Sequence, residues 1–554
     1  MMHRISLFAC LAFSAPSASA QADFVVHNAN IYTGDAAHPG AEAMAVRGDR
    51  ILMVGRADQV LGAYPGARRI DLGGRTVIPG LIDAHAHLLS RGQALLSADL
   101  IGTMSREEVV ERLTSFAASL PDGAWITGRG WDQNDWPVQE YPTRDDLDAV
   151  FPNRPVWLRR IDGHAAWANT AAMRAAGLEN IRRARDPEGG KILRDEDGEP
   201  TGIFIDAAMS LLSEHVPEAD EAHRAEALRR VLEETARLGL TGVHDAGISM
   251  DDINLYRTAI DEDRFDLRLY GMIGGVGSTL DTMCESGPIL SYGRRLSVRS
   301  VKLYIDGALG SRGAALLEPY ADDPSNTGLL RKAPDAFTEE VKSVLRCGFQ
   351  ANTHAIGDRG NRVALQAYEE AIGELGPGPG RHRIEHAQIV HPDDFVRFHE
   401  LHVIASMQPT HATSDMYWAG DRVGEARLAG AYSWRTFLDN GVALTFGSDF
   451  PVEAVNPLLG FHAAVTRQDA AGWPDGGWLP EQRVTRDEAL RAFTIGAAYA
   501  AFQEDEVGSL EAGKYADFVV LSKNIMTIPP SEILETDVLA TYLGGRRIYG
   551  SAHP

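Results

Sequence analysis

The strongest constraint on the fold is a rhythm in the middle of the chain. Eight short apolar segments (77–87, 242–245, 267–273, 298–305, 350–354, 382–386, 403–408 and 443–449) are each followed by a stretch with the length and amphipathic pattern of a helix. Strands alternating with helices signal βα units and a parallel sheet. Eight such units are the number that closes a barrel, and a closed parallel barrel carries its chemistry at the C-terminal ends of its strands. Functional residues therefore belong at the ends of these eight segments.

The two ends of the chain read differently. Segments 24–31, 43–46 and 50–54, and then 517–521, 538–542 and 546–549, are short strands set between Gly, Asp and Asn turns. They predict one small β-sandwich domain composed of residues 21–76 and 505–554, wrapped around a TIM barrel of residues 77–504. Between the first and second barrel segments lies an interval of roughly 150 residues, far beyond an ordinary βα connection. It has strand-like, aromatic segments of its own at 125–131 and 156–167, and is read as an α+β cap inserted at 97–230. The expected class is thus α/β: a (β/α)₈ barrel, a terminal β domain and an inserted cap, in keeping with 554 residues.

Residues 1–20 run from a basic start through an apolar stretch at 5–13 to small residues ending in Ala18-Ser19-Ala20. That order is a signal peptide cleaved before Gln21, which places the mature protein in the periplasm or outside the cell. A lipoprotein site at Cys10 is disfavoured by bulky Phe8, and the apolar stretch is too short to span a bilayer. The net charge of -24 argues against nucleic acid and against electrostatic attraction to anionic membranes. A small-molecule partner remains, and a homodimer is left open. Cys284 and Cys347, far apart and in no metal-binding spacing, are read as buried thiols.

The chemistry begins at Asp83-Ala84-His85-Ala86-His87. Residues i and i+2 of a strand share a face, so His85 and His87 point the same way and can ligate one cation. His354 and His386 end the fifth and sixth segments, and Asp449 ends the eighth. A lone histidine on an apolar strand is commonly a hydrogen-bonded core residue. Four of them with an aspartate, all at strand ends, are better explained as a metal site. Lys302 ends the fourth segment. An ammonium cannot ligate a cation, but a lysine buried beside cations should lose its proton, and the neutral amine can add CO₂. The resulting carbamate supplies two oxygens able to bridge two metals; the alternative is a lysine reaching a surface carboxylate.

With these motifs the chain resembles the amidohydrolase superfamily, in the branch of N-substituted formamide deformylase. The matching residues are His85-x-His87, Lys302, His354 in His-Ala-Ile-Gly-Asp, His386 in Arg-Ile-Glu-His-Ala and Asp449 in Gly-Ser-Asp-x-Pro. Val77-Ile78-Pro79-Gly80 and the segment Gly508 to Asp517 add to the likeness. The resemblance implies an enzyme acting on carbon–nitrogen bonds other than peptide bonds, in which a metal-activated water attacks an amide, formamide or cyclic amide. It implies that His85, His87 and Asp449 hold one divalent metal, with zinc favoured, that His354 and His386 hold another, and that carboxylated Lys302 bridges the two. Asp449 would then shuttle the proton, with Asp83 and Glu385 orienting the ligands. In the cap, Trp131, Asp132, Asp162 and His164 resemble pocket-lining segments, His164 as a donor to the substrate carbonyl. Arg312 and His411 sit near the mouth, Arg312 either meeting a substrate carboxylate or forming a salt bridge. An esterase or phosphoesterase on the same centre, and a regulatory protein that has lost catalysis, are the alternatives.

Overall fold

The computed structural model describes residues 21–551 apart from 122, 162, 164, 179–184, 188, 189, 218 and 219. The leader, with Cys10, and the predicted site residues Asp162 and His164 lie outside the described residues. Three sheets organise the rest. The largest contains the eight predicted barrel strands in sequence order: β1 (Leu81–Ala86), β2 (Leu240–Ile248), β3 (Arg268–Gly274), β4 (Leu296–Tyr304), β5 (Gln350–Ala355), β6 (Arg383–His386), β7 (Ile404–Met407) and β8 (Leu444–Phe446). Each pairs in parallel with the next. Such strands are covered on both faces, which is why β1 is buried at every position and reads as an apolar run instead of an alternation.

The ring closes between β1 and the turn after β8. The Asp449 N–H donates to the His85 carbonyl (2.7 Å) and the His87 N–H donates to the Phe450 carbonyl (2.8 Å). Outside the strands, the helices turn an apolar stripe inward. In the helix Pro334–Arg346, Phe337, Val341, Val344 and Leu345 are buried, at the i, i+4, i+7, i+8 spacing of one helical face. Each such side chain contributes about 1.5–3 kcal/mol on full burial.

Three sequence readings are adjusted by this arrangement. The segment 77–87 is not one strand. Thr76–Pro79 pairs antiparallel with Phe518–Leu521 in the terminal domain, and β1 starts only after Gly80. A side chain at Gly80 would drive into Thr241, its Cβ 2.1 Å from the hydroxyl oxygen, so glycine lets the chain pass from one sheet to the other. The terminal domain itself is one continuous eight-stranded ladder wrapped around its own core, not two separately bonded sheets. It is locked to the barrel by the buried pair Arg268–Asp517, with contacts of 2.5 and 2.9 Å. The cap has a six-stranded sheet between Ala98 and Asp206. The helix Glu221–Arg237 instead buries Leu228, Val231 and Leu232 in the barrel core, so the insertion closes before residue 230. Among the described residues, no helix is long and apolar enough to cross a membrane.

The two cysteines are not the buried thiols expected from their spacing. Cys284, in the helix Ser278–Ser286, and Cys347, capping the helix Pro334–Arg346, form a disulfide with Cα atoms 5.0 Å apart. Separation in sequence concealed them, because successive barrel helices come together only once the ring has closed. A loop of 63 residues is thereby tied off. Replacing both cysteines by Ser is expected to lower unfolding stability by about 4 kcal/mol in the loop-entropy account, read as a shift in the urea midpoint against the oxidised parent. An unchanged midpoint would show that the bond does not form.

Candidate functional site

The strand ends converge. His85 leaves the end of β1 fully buried, and its Nδ1 lies 2.6 Å from Glu385 Oε2 on β6. Since a carboxylate only accepts, Nδ1 bears the proton and Nε2 offers its lone pair. That lone pair meets Lys302 Nζ from β4 at 2.9 Å. His87 Nε2 lies 3.2 Å from Asp449 Oδ1, and His85 Nε2 lies 3.5 Å from the same oxygen. His85, His87 and Asp449 bring one donor atom each to within 4.8 Å of one another.

Asp449 is held by the barrel's closing turn. Asp83 accepts from the Ser448 hydroxyl (2.6 Å), the Ser448 N–H and the His85 N–H, and so staples the end of β1 to the turn. Gly447 is required there, since a Cβ would sit 2.5 Å from the His85 nitrogen. Asp449 adopts φ +64° and His386 φ +77°. Both lie in the left-handed region that side chains other than glycine's avoid, and such strain collects where geometry matters for function.

His386 completes the floor. Its Nδ1 donates to Gln408 Oε1 at 2.8 Å, which leaves Nε2 free. His354 sets its ring edge-on to that of His386, 4.6 Å centre to centre, with Nε2 3.6 Å from Asp306 Oδ1 and no hydrogen-bond partner. His411, from the helix Pro409–Asp415 after β7, forms a second compact donor set with His386 and Asp449. Its Nε2 is likewise unpartnered. Buried nitrogens left without partners cost free energy, and here they face a cavity of about 550 Å³ that Lys302, His87 and Asp449 also line.

Electrostatics suit a cation. Burial, with Lys302 adding to it, pushes His354 down to about 3. Burial and neighbouring imidazoles hold His386 well below its usual range, and His85 is lowered mainly by burial. These rings are therefore neutral, as ligands must be. Burial opposes ionisation of Asp449, yet His87, His85 and His386 outweigh it and hold the carboxyl well below the usual range. His87 moves the other way: burial opposes its protonation, but Asp449 prevails and raises it. Burial lifts Asp83 and Asp306 to about 7, against the hydrogen bonds each accepts. Neutral His85, His354 and His386, the firmly ionised Asp449 and the unpartnered His354 nitrogen form a donor set that fits a divalent metal.

Other predicted residues stand elsewhere. Trp131 is buried in the cap core, its Nε1 donating to the Leu158 carbonyl. Asp132 pairs with Arg160 at 2.5 Å. Neither lines the cavity, because the face of the strand Ile126–Trp131 that carries Trp131 packs into the cap's own core. Arg312 makes a two-pronged bridge to Asp322 (3.1 and 2.8 Å), the structural role of its two readings, and leaves Gly310 and Ser311 to line the cavity. Several lining or supporting residues escaped the sequence reading: Tyr304, Gln388, Trp418 and Glu453 in the wall, with Gln408 and Asp306 behind it. Gln408 directly follows β7 and Asp306 lies two residues beyond β4, so the strand-end rule extended from histidines to all polar residues would have found them.

The amidohydrolase family profile matches residues 68–549. The chain belongs to the amidohydrolase family. It is 37% identical over 548 residues to Protein LONG AFTER FAR-RED 3 of Arabidopsis thaliana, covering 96% of this chain and 93% of that one. It is 31% identical over 546 residues to N-substituted formamide deformylase of Arthrobacter pascens, covering 94% and 97% respectively. The crystal structure of an uncharacterized metal-dependent hydrolase from Pyrococcus furiosus superposes with a TM-score of 0.75 at 31% identity, over 91% of this chain and all of that one.

Proposed function

We propose that this amidohydrolase cleaves an amide-type C–N bond of a small molecule (a formamide, acyl amine or cyclic amide) with a metal-activated water. The observation that carries the proposal is the convergence of His85, His87 and Asp449 within 4.8 Å at the floor of a cavity at the barrel's C-terminal end. The likeness to a formamide deformylase supports the choice of bond. A divalent cation held there, zinc being favoured by imidazole ligands, polarises a carbonyl and lowers the pKa of water. His85, His87 and Asp449 would hold the first ion, with His354 and His386 available to a second and Lys302 between the sets as a carbamate.

The chain's own groups do the rest. Glu385 fixes the His85 ring in the tautomer that exposes Nε2, and Gln408 does the same for His386. Asp449, ionised and at the cavity floor, takes the proton of the attacking water and passes it to the leaving amine. Tyr304 and Trp418 give the cavity apolar walls for the organic part of the substrate. Export is part of the same reading. The Cys284–Cys347 bond supports it, since disulfides persist in oxidising compartments, and N-terminal sequencing of the mature protein should begin at Gln21.

The test is a panel of N-formyl amines, acyl amino acids and aryl esters, run before and after chelation. Amide hydrolysis is expected, is lost with the metal, and returns with zinc or manganese. Preferential turnover of esters would favour the esterase reading, and an enzyme indifferent to chelation would remove the metal mechanism. Metal content with and without bicarbonate tests Lys302. Two equivalents are expected with bicarbonate and fewer without it, whereas Lys302→Ala should not respond.

A further inference from the structure

We propose that His411 is a further catalytic residue: its Nε2–H receives the substrate's carbonyl oxygen as negative charge develops on it. This assignment rests on the amide-hydrolase reading above and adds a named donor to it.

The neighbours of the His411 ring decide where its proton sits. Asp415 Oδ2 accepts from the Tyr432 hydroxyl at 2.6 Å and from Gln388 Nε2 at 3.2 Å. A carboxylate accepts and an amide NH₂ donates, so Asp415 dictates which end of the Gln388 amide is nitrogen. The same Gln388 nitrogen stands 3.4 Å from His411 Nδ1. Facing a donor, Nδ1 must be the bare nitrogen, and the ring's single proton resides on Nε2. The run Tyr432–Asp415–Gln388 thus selects the Nε2–H tautomer of His411.

The proton on Nε2 points at the reacting centre. His411 and Gln388 are both more than nine-tenths buried, and both line the cavity that Asp449 lines. Nε2 has no hydrogen-bond partner; Asp449 Oδ2 is 3.8 Å away and Glu453 Oε1 is 4.0 Å away, both beyond bonding distance. A buried N–H without an acceptor is costly, and the missing acceptor is one that a bound substrate brings. When water adds to the carbonyl carbon, the C=O π pair moves onto oxygen while Asp449 takes the water's proton. A prepositioned N–H at that spot stabilises the oxyanion without reorganising.

The competing role is metal ligation, because His386, His411 and Asp449 are compact enough to hold an ion. A ligand nitrogen must present a lone pair, whereas the Gln388 contact puts the proton on Nε2. The two roles differ in what they predict for metal content.

The experiment compares full-length wild type with His411→Ala, His411→Gln and Gln388→Met on an N-formyl amine, with metal content measured on every preparation. His411→Ala is expected to lower kcat by about 10²–10³-fold with bound metal unchanged. His411→Gln, which keeps an N–H donor, should recover part of that loss. Gln388→Met, freeing the ring to take either tautomer, should lower kcat by about 10–100-fold with little change in KM. Loss of a metal equivalent in either His411 variant, or wild-type kcat in both, overturns the assignment. An inert wild type removes the amide-hydrolase reading and this assignment with it. An active wild type matched by its variants removes this assignment alone.

Discussion

Asp449→Asn should leave a folded protein whose kcat is lower by about 10²–10⁴-fold, the range expected when a positioned proton-transfer group is removed. Asparagine is nearly isosteric, so the closing turn keeps the Asp449 N–H to His85 bond and the Asp83 staple, neither of which uses the Asp449 side chain. What disappears is the only carboxylate common to both compact donor sets. The amide cannot accept a proton at neutral pH, and it offers one oxygen where the carboxylate offers two. Activity and metal content should be followed together. A loss of turnover with metal retained isolates the proton role, and a joint loss isolates ligation. Activity close to wild type would exclude both.

The second large effect is on stability. Asp306, two residues beyond β4, accepts from three backbone N–H groups: Ala315 (2.9 Å), Ile356 (3.0 Å) and Gly357 (2.8 Å). It thereby binds the long loop after β4 to the turn after β5, the two loops that provide Leu309, Gly310 and Ile356 to the cavity wall. The turn itself has no slack, since a Cβ on Gly357 would lie 2.0 Å from the Ala315 carbonyl oxygen. Asp306→Ala orphans three donors at about 1–3 kcal/mol each, so a loss near 5 kcal/mol is expected in urea unfolding. KM should rise as the wall loosens. A variant of wild-type stability would show that the loops are held by packing alone.

Much of this was legible in the sequence because each step was local. The apolar runs mark barrel strands, since strands covered on both faces have no solvent side to record. The i, i+2 spacing of His85 and His87 states their common face outright. What was illegible depended on elements far apart in the chain. His411 could be placed near the mouth, but its tautomer is set by Gln388, Asp415 and Tyr432, which meet it only across the loops after β6 and β7. Trp131 and Asp132 resembled pocket residues, yet one packs in the cap core and the other pairs with Arg160, because aromatic and charged residues near a cap strand serve its interior as readily as a ligand.

By itself the sequence determined the barrel, the terminal domain drawn from both ends, and the identity of the residues at the strand ends, because periodicity and residue chemistry are written in neighbouring positions. The tertiary structure alone decided which of those residues share an atom-scale site. It joined Glu385 to His85 across 300 positions, paired two cysteines that spacing had kept apart, and sent Arg312 to Asp322 instead of the cavity. Hydrogen bonds and proton positions are fixed by distances of a few tenths of an ångström, and those distances exist only once the ring of strands has closed.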